Sequence, residues 1–193
     1  MATDWQTYYR QTKDKPPSAT LVRALEEVKR KGQALDLGSG AMKDSRFLLR
    51  EGFARVTAVD REPAPADILE SLPAERFSFV QAPFDGFDFP EGRFDLINAQ
   101  FSLPFATPAA FGIFWPRIVA SLAPGGIFVG QFFGDRDGWN VPGTEMTFLT
   151  ATQAREALAG LETILFDEKE YDANLASGAP HHWHLFHVIA RKT

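Results

Sequence analysis

Short apolar runs alternate with amphipathic segments along the chain, and this alternation is typical of an α/β protein. The apolar runs predict seven strands, over 34–37, 55–59, 77–81, 94–99, 127–133, 162–171 and 184–191. Apolar residues at helical spacing predict helices over 21–30 (with Ser18 as N-cap), 44–50, 66–72, 108–122 and 150–159 (with Thr150 or Thr152 as N-cap). No helix separates the last two strands, so the last strand should run antiparallel to its neighbours. The pattern therefore predicts one open twisted sheet, mostly parallel, with helices on both faces.

The most specific motif begins at the first predicted strand. The run 34–37 leads into the Gly38-Ser39-Gly40 turn, and the second strand ends at Asp60, 24 residues after Asp36. Glycines let a backbone approach a ligand closely, and an acid at the tip of the second strand can accept both hydroxyls of a ribose. Asp36 would repel a pyrophosphate and attract a cation. The motif thus predicts a nucleoside-like ligand that carries positive charge.

Length, composition and charge narrow the range of functions. The 193 residues fit a single domain over 1–193, and 45% hydrophobic and 23% charged residues are ordinary for a globular protein. No run approaches the roughly 18 apolar residues of a membrane span, and a net charge of −5 argues against a nucleic-acid partner. No cysteine is present, which excludes disulfides and thiolate metal sites and favours a cytoplasmic location. We expect a small-molecule partner and a monomer or weak homodimer.

Seven stretches resemble, in order, the motifs of one enzyme family. They are YYRQTKDKPPSATLVRAL (8–25), ALDLGSGAMKDS (34–45), VTAVD (56–60), FVQAPFDGFDFP (79–90), FDLINAQFSLPF (94–105), LAPGGIFVGQFFG (122–134) and HHWHLFHVIARK (181–192). The chain resembles the class I S-adenosylmethionine-dependent methyltransferases, and more narrowly the small bacterial group that includes the tellurite-resistance methyltransferases. The resemblance implies a Rossmann-like fold, S-adenosylmethionine as cofactor and direct in-line methyl transfer to a small-molecule acceptor.

The resemblance also implies a cofactor site. Its residues are Asp36, Gly38, Ser39 and Gly40 around the methionine moiety, Asp60 with Arg61 beside it at the ribose, and Asn98 at the cofactor's amino group. Two positions depart from the family pattern. Met42 stands where a further glycine is common, so the loop must tolerate a side chain. Pro83 stands where an acid usually binds the adenine amino group; proline has neither a carboxylate nor an N–H, so Asp85 or the Phe84 backbone would serve instead.

Residues 1–18 form an aromatic-bearing arm. We expect this arm to close over the cofactor, because Trp5, Tyr8 and Tyr9 supply apolar area that a solvated tail does not need. Tyr9 and Phe101 are candidates for lining the acceptor pocket. The alternative for both rings is ordinary packing in the core or on the sheet.

All four histidines lie within 181–187. In a strand, His182 and His184 would point to one face and His187 to the other. The loop between the last two strands should lie at the ligand-binding end of the sheet, so His182 is the candidate general base and His184 a candidate for the acceptor pocket. Structural hydrogen bonding is the alternative. The segment contains no carboxylate to complete a metal site, so no metal is expected.

Three other functions stay open. A non-catalytic cofactor-binding protein is suggested by the departures at Met42 and Pro83. A nicotinamide- or flavin-dependent oxidoreductase would use the same glycine turn, but the third glycine of GxGxxG is missing and Asp36 ends the first strand. A methyltransferase acting on nucleic acid would need a basic face and a recognition insertion, which this compact acidic chain lacks, and one acting on protein is the remaining alternative.

Overall fold

The computed structural model describes residues 5–193, which form one mixed sheet covered by helices. In chain order the elements are α1 (Trp5–Thr12), α2 (Ala19–Ala24), β1 (Gln33–Leu37), α3 (Lys43–Arg50), β2 (Arg55–Asp60), α4 (Ala66–Glu70), β3 (Phe77–Gln81), β4 (Phe94–Ala99), α5 (Pro108–Ser121), β5 (Leu122–Gly134), β6 (Phe148–Leu149), α6 (Ala151–Ala157), β7 (Leu161–Asn174) and β8 (Pro180–Lys192). Single 3₁₀ turns lie at Leu25–Glu27, Phe84–Gly86 and Leu103–Phe105.

The sheet has the order β3-β2-β1-β4-β5-β8-β7, with β6 paired to β5. Strands β1 to β5 run parallel to one another, and β8 is antiparallel to both β5 and β7. The predicted α/β class, parallel core and antiparallel last strand are confirmed. The sheet has eight strands rather than seven, because two-residue β6 is too short to show an alternating pattern. The strand order reverses between β1 and β4, where ligands bind in such sheets.

Apolar side chains pack into one core on each face of the sheet. On the first face, Leu35, Ile97 and Phe128 pack with residues of α5 and α6. On the second face, Val56 and Val129 pack with residues of α2, α3 and α4. Helices therefore cover both faces, as predicted. Within residues 5–193, no helix has the length and apolar character needed to cross a membrane.

The first predicted helix, 21–30, differs most from the structure. It ends in a 3₁₀ turn at Glu27. The N–H groups of Gly32 and Gln33 donate to the Asp95 carboxylate at 3.1 and 3.0 Å, which holds the chain that leads into β1. A tertiary contact therefore overrides the local helical preference.

The two predicted N-caps have different partners. Thr150 caps α6, since its hydroxyl accepts from the Gln153 N–H at 3.2 Å. Ser18 precedes α2, but it makes no side-chain capping bond; its hydroxyl donates to Asp44 Oδ2 at 2.8 Å. Ser18 thus ties the arm to α3 instead of capping its own helix.

The β7–β8 hairpin is longer than the predicted strands 162–171 and 184–191. Residues 181–183, expected in a loop, belong to β8. Phe133 near the end of β5 pairs with Leu185 of β8. Residues 181–184 therefore lie at the carboxyl edge of the parallel strands, the edge at which α/β sheets bind ligands.

Candidate cofactor and acceptor site

The turn after β1 has glycine where the backbone requires it. Gly38 and Gly40 have positive φ angles of 70° and 49°. A Cβ at Gly38 would lie 2.2 Å from Ser102 Cβ, and one at Gly40 would lie 3.1 Å from the Tyr9 ring. The Gly38 N–H donates to the Val59 carbonyl of β2 at 2.8 Å, so the turn is held against both strands. Other side chains would not fit here without strain.

Met42 adopts the conformation that glycine would supply. Its φ is 57°, at the N-cap position of α3. The side chain is fully buried in the second-face core, together with Leu48. A left-handed non-glycine residue costs about 1–2 kcal/mol, which the burial of an apolar side chain, about 1.5–3 kcal/mol, offsets. The loop therefore tolerates Met42 by directing its side chain into the core.

Asp36 is a buried acid between two hydrogen-bond donors. Only 2% of the surface of Asp36 is exposed to solvent. Ser45 Oγ donates to Oδ2 at 2.5 Å, and Asn98 Nδ2 donates to Oδ1 at 2.8 Å. Burial first, and the nearby Asp44 charge second, raise the pKa of Asp36 to about 6. Both donors suit the ionised carboxylate, and a cationic ligand group would favour that form further.

Asp60 ends β2 beside the glycine turn. Its Oδ2 accepts from the Gly40 N–H at 2.8 Å, and its Oδ1 accepts from the Glu62 N–H at 3.0 Å. The Tyr9 side chain of α1 lies close to the same carboxylate. Burial, followed by Asp60 and Glu62, holds the pKa of Tyr9 far above its ordinary value, so the hydroxyl stays a donor. A carboxylate has about four acceptor positions, so Asp60 keeps capacity for a ligand hydroxyl.

The N-terminal arm lies over this site. Tyr9 is 4% exposed and covers Gly40 and Asp60. The Trp5 ring lies 5.4 Å from the Phe105 ring. Residues 1–4, also predicted as part of the arm, lie outside the described residues. A ligand that binds at the glycine turn would therefore contact the arm.

We predict that amide hydrogen exchange in residues 5–18 slows when S-adenosylhomocysteine is added. A ligand against the glycine turn would add contacts to the face of α1 that carries Tyr9, and local opening becomes rarer as contacts increase. Exchange in the distant strand 161–174 should not change and is the internal control. Equal rates in residues 5–18 with and without the ligand would make the arm a passive extension.

A row of polar side chains crosses the second face of the sheet. Asn98 of β4 pairs with Asp36, and its Oδ1 accepts from Gln100 Nε2 at 2.8 Å. Gln131 of β5 donates from Nε2 to Gln100 Oε1 at 2.6 Å, and the same nitrogen lies 3.2 Å from His187 Nδ1 of β8. We call these five residues the polar row: Asp36, Asn98, Gln100, Gln131 and His187. They link the glycine turn to the β5–β8 side of the sheet.

The sequence analysis did not predict three residues of the polar row, Gln100, Gln131 and His187, as site residues. Gln131 offered a signal, because it interrupts the apolar run 127–133 and is 1% exposed in the structure. A polar residue inside a buried strand needs partners, and those partners define a site. His187 does point away from the face of His182 and His184, as alternation predicts.

The predicted adenine side is a 3₁₀ turn after β3. The Phe84 ring packs 5.5 Å from Phe114 in the first-face core, whereas Asp85 is exposed. The side chain of Arg61, 55% exposed, lies 3.6 Å from Glu62. Asp85, the Phe84 backbone and Arg61 therefore stand at the same edge as Asp60 and stay predictions for cofactor contact.

Aromatic rings surround the carboxyl ends of β4 and β5. This aromatic wall consists of Trp5, Phe101, Phe105, Phe133, Trp139 and Trp183. Phe101 lies 5.9 Å from Trp183 and 6.4 Å from Phe133, measured between ring centroids. It is 39% exposed and has a φ of 51°, a left-handed conformation rare for an aromatic residue. Such backbone conformations concentrate at functional sites.

The predicted acceptor histidines are held by acids of β7. His182 Nδ1 lies 2.8 Å from Asp172, and its Nε2 lies 3.1 Å from Glu170. These carboxylates raise the pKa of His182. The His184 ring is fully buried; its Nδ1 accepts from the Arg136 N–H at 3.1 Å, and its Nε2 lies 3.0 Å from Glu168.

This geometry weakens the case for both histidines as acceptor-side groups. Their face of β8 also carries Phe186, which belongs to the first-face core. The polar row lies on the opposite face. Residues 181–187 contain no carboxylate, but antiparallel pairing with β7 brings Glu168, Glu170 and Asp172 to the histidines.

No group of three or more acids and histidines among residues 5–193 could hold a metal ion.

The methyltransferase-domain family matches residues 34–126, which contain the glycine turn, Asp36, Asp60 and Asn98. This part of the chain is therefore similar to a methyltransferase domain. A search of curated protein sequences found no significant match.

Several solved structures share the fold. The 1,6-didemethyltoxoflavin-N1-methyltransferase of Burkholderia thailandensis, with bound 1,6-didemethyltoxoflavin and S-adenosylhomocysteine, is 25% identical, with 98% of this chain and 86% of that chain covered and a TM-score of 0.67. TehB from Haemophilus influenzae is 16% identical, with 96% and 66% covered and a TM-score of 0.77. The [4+2]-cyclase SpnF is 15% identical, with 98% and 93% covered and a TM-score of 0.66. The predicted Rossmann-like fold is confirmed.

Proposed function

We propose that this protein transfers the methyl group of S-adenosylmethionine to a small-molecule acceptor. The observation that carries the proposal is an unpartnered hydroxyl in the glycine turn. Ser39 Oγ is buried and has no hydrogen-bond partner among residues 5–193. Buried polar groups in folded proteins are nearly always paired, so a ligand group at this turn would satisfy it. The acids Asp36 and Asp60 flank the same turn.

These residues suit the chemical groups of the cofactor. Asp36 would hold a cationic group, and Asp60 would accept from ribose hydroxyls. When bound, the cofactor supplies a methyl group activated on a cationic sulfur. The side chains of this chain bind, align and exclude water, and alignment alone can contribute about 7–11 kcal/mol.

A small, planar acceptor fits the aromatic wall better than a macromolecule does. Aromatic rings at the carboxyl ends of β4 and β5 offer apolar faces of limited extent. The methyltransferase from Burkholderia thailandensis has a small heterocycle, 1,6-didemethyltoxoflavin, bound. A chalcogen oxyanion, the acceptor that the narrower resemblance suggests, has only the likeness of fold to TehB in its support.

The proposal is tested by binding and by turnover. We expect S-adenosylmethionine and S-adenosylhomocysteine to bind in calorimetry, whereas NADH does not, because Asp36 repels a pyrophosphate. A folded protein that binds neither methionine-derived ligand contradicts the proposal, and one that prefers NADH is an oxidoreductase. Tight binding without methyl transfer to planar heterocycles, thiols, amines, carboxylates or chalcogen oxyanions would favour the non-catalytic alternative.

A further inference from the structure

The hydrogen bonds of the polar row have a fixed direction. The Phe101 N–H donates to Gln131 Oε1 at 2.9 Å, and a backbone N–H can only donate. The amide nitrogen of Gln131 must then face Gln100 Oε1 and His187 Nδ1, at 2.6 and 3.2 Å. Because an amide nitrogen is a donor, His187 Nδ1 is the acceptor of this bond.

The direction of this bond sets the protonation of His187. The Thr20 hydroxyl, 3.4 Å from the same Nδ1, can donate to it as well. Burial lowers the pKa of His187, against the opposing influence of Asp167 on β7, while Lys169 adds to the lowering. The ring is therefore neutral near pH 7, with its single proton on Nε2.

The Nε2–H of His187 is a donor without a protein acceptor. Among residues 5–193, the hydrogen bonds of this ring all involve Nδ1. The buried polar atoms that lack a partner in this part of the chain are Ser39 Oγ, Arg46 Nε and Arg191 Nε. His187 Nε2 is not one of them, so this unpaired atom is accessible to solvent.

The aromatic wall lies on the same face of the sheet as this donor. Gln131 and Phe133 are alternate residues of β5, as His187 and Trp183 are of β8, so all four side chains point to one face. The Phe101 ring packs against the rings of Phe133 and Trp183, and its backbone N–H donates to Gln131 Oε1. One strained residue thus connects the wall to the polar row.

We propose that Gln131 and His187 form the polar end of the acceptor site, and that the acceptor is a planar heteroaromatic ring carrying a carbonyl oxygen that accepts from His187 Nε2–H. This inference rests on the proposed function. Phe101, which is exposed, and the half-buried Trp183 would pack against the ring. The His187 donor selects an oxygen acceptor and disfavours an ammonium group. Gln131 is a positioning residue, since it fixes the proton of His187.

The test uses the intact protein saturated with S-adenosylhomocysteine and follows binding by calorimetry. The probes are lumazine, 4-quinolone and xanthine, which carry ring carbonyls, and pteridine, which matches lumazine without them. We expect at least one carbonyl probe to bind, and lumazine to bind more tightly than pteridine. His187→Gln keeps an amide N–H near the place of Nε2, whereas His187→Asn keeps one near the place of Nδ1. We expect His187→Asn to weaken the bound carbonyl probe about tenfold or more and His187→Gln to retain most of the affinity.

The outcomes separate the inference from the proposed function. If the unmodified protein does not bind S-adenosylhomocysteine, the proposed function itself is wrong. If that ligand binds but none of the three carbonyl probes does, the acceptor class is wrong. If both His187 variants, shown to be folded by their unfolding curves, bind the probe like the unmodified protein, the role of His187 is wrong. Weaker binding of the carbonyl probe to His182→Ala, but not to His187→Asn, would return the acceptor side to His182.

Discussion

Replacing Asp60 by alanine should weaken S-adenosylmethionine binding by about 10²–10⁴-fold. The carboxylate stands at the tip of β2 with acceptor capacity beyond its bonds to Gly40 and Glu62. Two charge-assisted hydrogen bonds to ribose hydroxyls, each on the order of 1.5–3 kcal/mol, would be lost. Calorimetry with S-adenosylmethionine measures the change directly.

The same substitution also affects the free protein. The N–H groups of Gly40 and Glu62 would lose their acceptor, so we expect the free energy of unfolding to fall by about 1–3 kcal/mol. Asp60→Asn keeps an acceptor for one of these two N–H groups, so it removes the charge at a smaller structural cost than alanine does. Asp88→Ala, at an exposed aspartate, is the control and should bind normally. An unchanged dissociation constant in Asp60→Ala would show that Asp60 only shapes the turn.

Replacing Asp36 by asparagine should make the free protein more stable and the cofactor complex weaker. The pKa of Asp36, raised to about 6 by burial, means that the folded state binds this proton more tightly than the unfolded state does. Ionisation of Asp36 therefore lowers stability as pH rises from the ordinary aspartate pKa to about 6, and the full penalty persists above it. That penalty is on the order of 2–3 kcal/mol.

Asparagine removes the penalty and keeps the hydrogen bonds. Its oxygen can accept from Asn98 and its nitrogen can donate to Ser45 Oγ, the present partners of the carboxylate. The gain in free energy of unfolding, measured with urea, should be largest above pH 6 and vanish near pH 4. Asp95→Asn is the matched control: Asp95 accepts from Gly32 and Gln33, so this change should destabilise. Equal stability of Asp36→Asn and the unmodified protein across this pH range would contradict the expectation.

Cofactor binding should respond in the opposite direction. Without its charge, position 36 loses a charge-assisted contact to a cationic group, which weakens binding about 10- to 100-fold. In the unmodified protein, affinity should fall as pH drops below about 6, because protonation of Asp36 removes the same charge. Asp36→Asn should show no such pH dependence from this residue. A variant that binds as tightly as the unmodified protein would limit Asp36 to a structural role.

The first half of the site was predictable because its parts are close in sequence. Asp36, the glycine turn and Asp60 belong to one strand–turn–helix–strand unit, and such a unit places both acids at neighbouring strand ends. The left-handed angles at Gly38 and Gly40 likewise follow from residue type. Met42 shows the limit of this reasoning, since only the core around it shows how the loop tolerates its side chain.

The acceptor side depends on contacts between distant strands. Gln131 and His187, 56 residues apart, become neighbours because β8 inserts antiparallel between β5 and β7. The same register brings Glu170 and Asp172 to His182, a pairing that the histidine segment itself does not indicate. Alternation predicted which histidines share a face, but not what lies on that face.

The sequence by itself determined the α/β class, the mostly parallel sheet, the glycine turn and the position of the two acids beside it, because hydrophobic period and local turn chemistry encode them within short stretches. Only the tertiary structure decided the pKa of Asp36, the proximity of Tyr9 to Asp60 and the donor-to-acceptor direction of the hydrogen bonds in the polar row. Burial and strand register arise from contacts across the whole chain, and a shift of one residue in register would turn His187 to the other face of the sheet.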